Sequence, residues 1–184
     1  MIRHQQELKT TPSIWKRPPP DFLKLNFDGA SRGNPGLAGI GGVIRNNGGE
    51  ILHIYSRALG EGTNNEMEFA TMEQGLRILR SLRAGAAVIE GDSQLAIIAS
   101  KRMYAGAKAS KVTQHWQLAK VIESIEEHLG WLKGLVFQVV HLKANTVADH
   151  LANIDIENPT TIWDSCWQDV SYTDLKKNCT LLSR

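Results

Sequence analysis

Apolar and polar residues alternate near the start of the chain, and a period of two predicts a half-buried β-strand. Leu23, Leu25 and Phe27 alternate with polar residues as far as Asp28. The run over residues 29–36 is rich in glycine and carries a proline, a composition that is typical of turns. We therefore expect a first strand that ends at Asp28, followed by a turn.

The periodicity of the remaining chain predicts further strands and helices. Strands are expected over residues 39–45, 50–59, 86–92 and 136–142, and helices over residues 64–83, 93–103, 113–130 and 145–154. Thr63 followed by Glu66 forms a capping box at the start of the first helix. Three strands in succession favour antiparallel pairing, whereas helices between the later strands favour parallel crossovers. The order therefore indicates an α/β domain with a mixed sheet.

The segments outside this pattern are short. Residues 1–20 are polar and end in three prolines, which favour an extended spacer. We therefore expect a linker there, a domain over residues 21–156 and a tail over residues 157–184. The 184-residue chain has a net charge of +2, which is too small for binding nucleic acid by charge alone. Its two cysteines are too few for a disulfide framework. It carries no secretory signal and no membrane-length apolar run, so we expect a soluble intracellular protein with free thiols.

Four carboxylates occupy positions where a purely structural carboxylate is costly. Asp28 and Asp92 lie at the ends of predicted strands, and ligand sites of open α/β sheets lie outside such ends. Glu68 continues the apolar stripe of its helix, and Asp149 lies in a short apolar helix, where a carboxylate must be paired or bind a metal. Other readings are a turn residue for Asp28, a helix cap for Asp92 with Ser93, and a favourable helix-dipole position for Asp149. Clustered carboxylates suit Mg²⁺ or Mn²⁺, whereas zinc would need His or Cys ligands.

Four sequence runs together resemble type 1 ribonuclease H in their order and spacing. They are FDGASRGNPG (27–36), TNNEME (63–68), GDSQL (91–95) and NTVADHLAN (145–153), and the resemblance extends from about residue 22 to residue 155. The hairpin run GGVIRNNGG and the short last loop look most like the ribonuclease H modules of plant non-LTR retroelements and their domesticated relatives.

This resemblance implies a ribonuclease H-like fold, with a five-stranded mixed sheet flanked by helices. It implies that Asp28, Glu68, Asp92 and Asp149 are the catalytic, metal-binding carboxylates. Glu68 is preferred to Glu66 because the family motif places the ligand after Asn-Asn-x-Met, and the helical stripe indicates the same residue. The implied cofactor is a pair of Mg²⁺ ions about 3.5–4 Å apart, for which Mn²⁺ can substitute. One ion would activate water and the other would stabilise the leaving 3′ oxygen.

The implied reaction is endonucleolytic hydrolysis of the RNA strand in an RNA–DNA hybrid, leaving a 5′-phosphate. Groove shape and the ribose 2′-hydroxyl distinguish RNA from DNA, and contacts to the backbone carry little sequence specificity. The residues that match the family's substrate contacts are Gly29, Ala30, Asn34, Thr63, Asn64, Asn65 and Gln94. Among them, Asn34 and Thr63 match a pocket for a phosphate of the DNA strand. Asn64 and Asn65 have the alternative of serving as a helix cap.

Two features depart from the family pattern. The basic stretch after the second helix carries only Lys101, Arg102, Lys108 and Lys111, so we expect weak affinity for a hybrid unless another domain contributes. His141 stands eight residues before the last carboxylate, which leaves no room for a long mobile loop. We therefore expect His141 to end the last strand rather than to transfer protons.

The expected partner is an RNA–DNA hybrid, bound by a monomer that does not contact a membrane. The chain is also compatible with a part of a larger retroelement-derived polyprotein. The alternative function is a non-catalytic nucleic-acid-binding module on the same fold, or a polyprotein domain that is inactive in isolation. Loss of a carboxylate would favour that module, and all four are present. Exonucleases and integrases of the broader superfamily resemble other sets of motifs.

Overall fold

Strands and helices follow one another in the predicted order in the computed structural model, which describes residues 14–112, 116–154 and 156 and the backbone of residues 162–166. The strands are β1 (Phe22–Gly33), β2 (Gly36–Arg45), β3 (Ile51–Gly62), β4 (Ala86–Gly91), β5 (Gly134–Val139) and β6 (Ile162–Cys166). The helices are α1 (Asn64–Ser81), α2 (Gln94–Tyr104), α3 (Ala119–Leu129) and α4 (Leu142–Asn153), with short 3-10 helices at Ala109–Lys111 and Trp116–Leu118. Within the described ranges, none of the helices has the length and apolar character needed to cross a membrane.

The strands form one sheet with the order β5-β4-β1-β2-β3-β6. The pairs β1–β2 and β2–β3 are antiparallel, whereas β4 is parallel to both β1 and β5. The expected five-stranded mixed sheet is thus confirmed. A sixth strand, β6, pairs antiparallel with β3 and comes from the segment over 157–184 in which the sequence has no clear period. The side chains of that segment, including both cysteines, lie outside the described residues.

Helices cover both faces of the sheet. Val43 and Ile44 are neighbours in β2, but Ile44 packs in the core formed with α1, α2 and α3, whereas Val43 packs with Leu151 of α4. Because adjacent strand residues point to opposite faces, α1–α3 cover one face and α4 covers the other. Phe27 enters the α1–α3 core, so its neighbour Asp28 faces the side of α4.

The first strand is longer than the sequence predicts. β1 continues through Asp28 as far as Gly33, and Asp28 pairs with Gly41 of β2. The chain reverses only at Asn34 and Pro35, which are joined by a cis peptide bond. The expectation that the strand ends at Asp28, and the reading of Asp28 as a turn residue, are therefore wrong. Part of the glycine-rich run serves close packing rather than a turn.

The last strand and the last helix begin and end earlier than predicted. β5 ends at Val139 and α4 begins at Leu142. His141 between them is the N-cap of α4, with φ −75° and ψ 149°, so the expectation that it ends the strand is wrong. Leu142 extends the apolar run of β5 in the sequence but is 48% exposed. An apolar residue outside the core therefore misled the prediction.

Part of the predicted N-terminal linker is attached to the sheet. Trp15 Nε1 donates a hydrogen bond to Asn26 Oδ1 at 2.9 Å. The centre of the indole ring lies 5.4 Å from Lys24 Nζ and 5.1 Å from the guanidinium carbon of Arg45. Lys24 in turn forms a buried ion pair with Glu90, with 2.5 Å between nitrogen and oxygen. Trp15 thus packs beside a buried charge pair that links β1 to β4.

Candidate active site

Three carboxylates from different elements meet near the carboxyl end of β4. Asp28 lies in β1, Asp92 follows β4, and Glu68 lies near the start of α1. Each contributes one carboxylate oxygen to a group in which all three oxygens lie within 4.8 Å of one another. Asn26 is opposite Glu90 in the parallel pair β1–β4. The residues two positions further along these strands, Asp28 and Asp92, are therefore brought side by side.

Gly29 allows α1 to approach this group. A Cβ atom at Gly29 would lie 2.4 Å from the carbonyl carbon of Met67 and 2.5 Å from the amide nitrogen of Glu68, and the Gly29 N–H donates to the Glu68 carboxylate. The predicted capping box begins the helix: the Thr63 hydroxyl accepts from the Glu66 N–H, and the Glu66 carboxylate accepts from the Thr63 N–H at 2.8 Å. Glu66 is thereby held at the helix start, and Glu68 is the acidic residue that joins the group.

Burial and mutual repulsion raise the pKa values of these carboxyl groups. Asp28 is 5% exposed, and burial, followed by the charges of Glu68, Asp92 and Asp149, raises its pKa from 3.8 to about 9. Burial and the charge of Asp92 raise the pKa of Glu68 from 4.5 to about 8, against the opposing effect of the Gly29 N–H. Glu68 Oε2 is buried and has no hydrogen-bond partner in the described part of the chain. A bound cation would stabilise the ionised forms, so the group is suited to metal binding.

Asp149 lies beside this group on α4 and is not one of the three that meet within 4.8 Å. Its charge contributes to the raised pKa of Asp28, so the two carboxylates interact electrostatically. Burial and the charge of Asp92 raise the pKa of Asp149, and His150 lowers it. Because α4 already begins at Leu142, Asp149 is interior to the helix. Its reading as a residue favoured by a helix N-terminus is wrong.

Five of the residues expected to contact substrate lie close in the sequence to one of the carboxylates. They are Gly29 and Ala30 in β1, Asn64 and Asn65 at the exposed start of α1, and Gln94 at the exposed start of α2. Thr63 is the N-cap of α1, so the alternative reading of Asn64 and Asn65 as the cap is wrong. Both asparagine side chains are left at the surface, close in the sequence to Glu68.

Asn34 and Thr63, expected to share a pocket, are brought together in a pocket of about 220 Å³ at the start of α1. Its other lining residues are Asn65, Glu66, Gln117 and Leu118. Asn34 Oδ1 accepts from the Asn64 N–H at 3.1 Å, and the Thr63 hydroxyl donates to Glu66 Oε2 at 2.8 Å. Gln117 has no signal in the sequence, because it reaches this pocket from a 3-10 helix far along the chain.

Asn145 is a buried residue of α4 that the periodicity does not single out. It is 1% exposed, and its Nδ2 donates to the Phe27 carbonyl oxygen at 2.8 Å and to Asp28 Oδ1 at 3.4 Å. The signal that could have indicated it is its place four residues before Asp149, since residues spaced by four share a helix face.

Comparisons with known proteins agree with this fold and site. The family described as "Reverse transcriptase-like" matches residues 26–154. A putative ribonuclease H protein of Arabidopsis thaliana is 30% identical over 141 residues, which cover 76% of this chain and 21% of the plant protein. Ribonuclease H of Bordetella avium is 32% identical over 147 residues, which cover 74% of this chain and 91% of the bacterial protein.

Solved structures extend the likeness to three dimensions. The N-terminal ribonuclease H domain of a Mycobacterium tuberculosis protein has a TM-score of 0.64 and 30% identity, covering 72% of this chain and 96% of that one. LC11 ribonuclease H1 in complex with an RNA/DNA hybrid has a TM-score of 0.63 and 28% identity, and the match covers 76% of this chain and 99% of the LC11 chain. The matches span 21%, 35% and 34% of the length of three curated relatives, so the chain covers only part of those proteins. From these matches and the acidic group, the chain belongs to the ribonuclease H family of enzymes.

Proposed function

We propose that this domain hydrolyses the RNA strand of RNA–DNA hybrids with the help of divalent metal ions. The observation that supports this most directly is the meeting of Asp28, Glu68 and Asp92, with oxygens within 4.8 Å of one another. A donor set made only of oxygens fits hard cations such as Mg²⁺. Glu68 Oε2, buried and without a partner among the described residues, fits the same interpretation. The hybrid complex of the related LC11 enzyme supports the choice of substrate.

We assign catalytic, metal-binding roles to Asp28, Glu68, Asp92 and Asp149, with two Mg²⁺ ions as the cofactor and Mn²⁺ as a substitute. When bound, such ions supply the Lewis acidity that activates water and stabilises the leaving oxygen in phosphodiester hydrolysis. Asp28 of β1 and Asp92, which follows the parallel strand β4, supply the central negative charge. Glu68 adds a ligand oxygen and can accept a hydrogen bond from a ribose 2′-hydroxyl, which DNA lacks. Asp149 completes the donor set from α4.

Substrate recognition is assigned to small residues of β1 and to exposed amides. Gly29 and Ala30 lie in β1 next to Asp28, and we assign contacts with the RNA backbone to them. Asn64 and Asn65 are exposed and can bond to 2′-hydroxyls and base edges, and Gln94 offers a further polar contact. Such contacts read shape and backbone more than sequence, so we expect little sequence preference.

The pocket that Asn34 and Thr63 line is assigned to a phosphate of the DNA strand. It lies at the N-terminus of α1, where the helix dipole favours an anion. The Glu66 carboxylate lines the same pocket and opposes a phosphate electrostatically. Together with a net charge of only +2, this carboxylate limits the expected affinity for the hybrid.

We propose a monomeric catalytic domain over residues 21–156, with a linker before it and a tail after it. Trp15 and β6 connect these flanking segments to the sheet. Because the chain spans 21% of its plant relative, we also propose that the domain can act within a longer, retroelement-derived polyprotein. Additional domains would then supply the affinity that the short basic stretch lacks.

Cleavage of an end-labelled RNA–DNA hybrid tests the proposed activity. The protein is incubated with Mg²⁺ or Mn²⁺, beside single-stranded RNA, duplex RNA and an EDTA control. We expect cuts confined to the RNA of the hybrid, and no cutting with EDTA or in Asp28→Asn. Glu61→Gln, which removes an exposed carboxylate of β3, is the matched control and should cleave at the wild-type rate.

Two outcomes would change the assignment. Folded protein that binds the hybrid but does not cut it with either metal would be the non-catalytic binding module, or a domain inactive without its polyprotein. Cleavage of duplex RNA as fast as the hybrid would refute the proposed substrate. In either case the fold and family would stand.

A further inference from the structure

Two asparagines flank Asp149 on α4, one four residues before it and the other four residues after it. Asn145, Asp149 and Asn153 therefore share one face of the helix. Asn145 donates to Asp28, and Asn153 donates to Asp149. We propose that both asparagines are positioning residues, which orient the carboxylates of Asp28 and Asp149 for metal binding without touching the metal or the substrate. This inference rests on the proposed function.

Asn145 connects α4 to the strand that carries Asp28. Its Nδ2 donates to the Phe27 carbonyl oxygen at 2.8 Å and to Asp28 Oδ1 at 3.4 Å, so one amide nitrogen contacts both the backbone and the carboxylate. Asn145 Oδ1 is buried without a hydrogen-bond partner in the described part of the protein. The two donor contacts therefore determine how this side chain is oriented. The contact from Asn145 thus holds Asp28 Oδ1, one of the two oxygens of that carboxylate.

Asn153 restrains Asp149 from the other side. Its Nδ2 donates to the Asp149 carbonyl oxygen at 2.9 Å and to Asp149 Oδ1 at 3.2 Å. Asp149 is only partly buried, so without this contact its carboxylate could rotate toward solvent. Asn153 thus holds the Asp149 carboxylate in one orientation beside the other three carboxylates.

The two contacts act on the same helix, and this couples their effects. Asn145 anchors α4 to β1 at the residue immediately before Asp28, and Asp149 follows one turn later. The placement of one helix therefore sets the distance between Asp149 and Asp28. Partners of this kind, which orient metal ligands from outside, typically change metal affinity by about 10–100-fold when they are removed.

The test compares variants that remove the amide donors while keeping the approximate side-chain volume. Asn145→Leu and Asn153→Leu are made in the full chain, with Thr146→Ala on the same helix as the control and Asn153→Gln as a variant that retains an amide donor. Mn²⁺ affinity is measured by titration calorimetry without substrate, and thermal unfolding in EDTA verifies that each variant is folded.

We expect Asn145→Leu and Asn153→Leu to weaken Mn²⁺ binding by about 10-fold or more, with no change in Thr146→Ala and partial recovery in Asn153→Gln. In hybrid cleavage, the Mg²⁺ concentration for half-maximal rate should rise, KM for the hybrid should stay constant, and excess Mg²⁺ should restore kcat. A purely structural role would lower the unfolding temperature and leave these metal responses unchanged.

Folded variants whose Mn²⁺ affinity stays within twofold of wild type would overturn the inference. If Asn145→Leu does not fold, the partly exposed Asn153 decides the question alone. Because metal binding is measured without nucleic acid, the two proposals fail separately. Wild type that binds Mn²⁺ and loses affinity in these variants, yet cuts no hybrid, would refute the proposed activity and support the positioning role.

Discussion

Replacing Asp28 with asparagine should abolish cleavage and also make the metal-free protein more stable at neutral and alkaline pH. Burial and the nearby charges of Glu68, Asp92 and Asp149 raise the pKa of Asp28 from 3.8 to about 9. The folded protein therefore holds a proton that the unfolded chain releases near pH 4. The stability of the folded protein relative to the unfolded chain that depends on this carboxyl is therefore fully present below pH 3.8 and is lost as the pH rises toward 9. Asparagine is neutral at every pH, and its oxygen can still accept from Asn145.

The size of the effect follows from the proton that the folded state must take up. Each pH unit above 3.8 lowers the free energy of unfolding by about 1.4 kcal/mol. For one proton, this sets an upper limit of about 6 kcal/mol on the loss at pH 8. Sharing of the proton among the carboxylates and entry of water reduce this cost. We expect Asp28→Asn to gain about 1–3 kcal/mol at pH 8, equivalent to a rise in Tm of about 3–10 °C for a domain of this size.

Unfolding is measured by heat and by denaturant at pH 4.5, 6 and 8 in EDTA. Glu61→Gln, which removes an exposed charge of the same sign, corrects for the change in net charge. The gain of Asp28→Asn over this control should be largest at pH 8 and small at pH 4.5. Saturating Mn²⁺ should raise the Tm of wild type more than that of the variant, because a ligand of the native state stabilises it.

Two results would refute this reasoning. One is an Asp28→Asn protein that is no more stable than the Glu61→Gln control at pH 8 in EDTA. The other is a gain of equal size at pH 4.5 and pH 8, which would assign the effect to packing rather than to ionisation. Either result would mean that the carboxylates are not forced together in the metal-free protein, and the metal site would lose its electrostatic basis.

Three further predictions follow from the geometry. Glu68→Gln should lower kcat for the hybrid by at least about 100-fold, more than the loss of a positioning residue. Glu66→Gln should retain activity because glutamine preserves the capping box, and similar losses in the two variants would contradict the assignment. Gly29→Ala should lower the free energy of unfolding by about 1–3 kcal/mol, since its Cβ would meet the backbone of α1 at 2.4 Å, and an unchanged denaturation midpoint would contradict this packing. Trp15→Ala should lower the free energy of unfolding by about 1–3 kcal/mol by leaving Asn26 Oδ1 without its donor. Removal of residues 1–20 should cost more, because the Lys16 carbonyl that accepts from Lys24 is lost as well; wild-type stability in both would make this segment a plain linker.

Local sequence pattern determined the order and type of the elements. Alternation and amphipathic stripes depend on residues close together in the chain, so the first three strands and the helix that begins after Thr63 were predictable. The apolar stripe of that helix also distinguished Glu68 from Glu66 before any tertiary contact was considered. The motif runs then indicated which four carboxylates belong together, because their residue types and spacing are specific when taken as a set.

The ends of the elements were less predictable, because a strand continues as far as its neighbour can pair with it. β1 passes through Asp28 and its glycines since β2 offers hydrogen bonds along its length as far as Gly36. β6 exists as an addition to the edge of β3, and a segment of five residues carries too little periodicity to indicate that pairing. Leu142 was assigned to a strand on its apolar character, although it begins a helix at the surface.

Only the tertiary structure decided which polar groups meet. Asn145 and Asp28 are 117 residues apart in the chain, and their contact results from the packing of α4 against the face of β1 opposite the main core. The pKa of about 9 at Asp28 has the same origin, since burial and three carboxylates from other elements raise it. Residue types and local spacing can name the members of such a site. Their distances, burial and hydrogen-bond partners depend on contacts between distant segments, which no local period encodes.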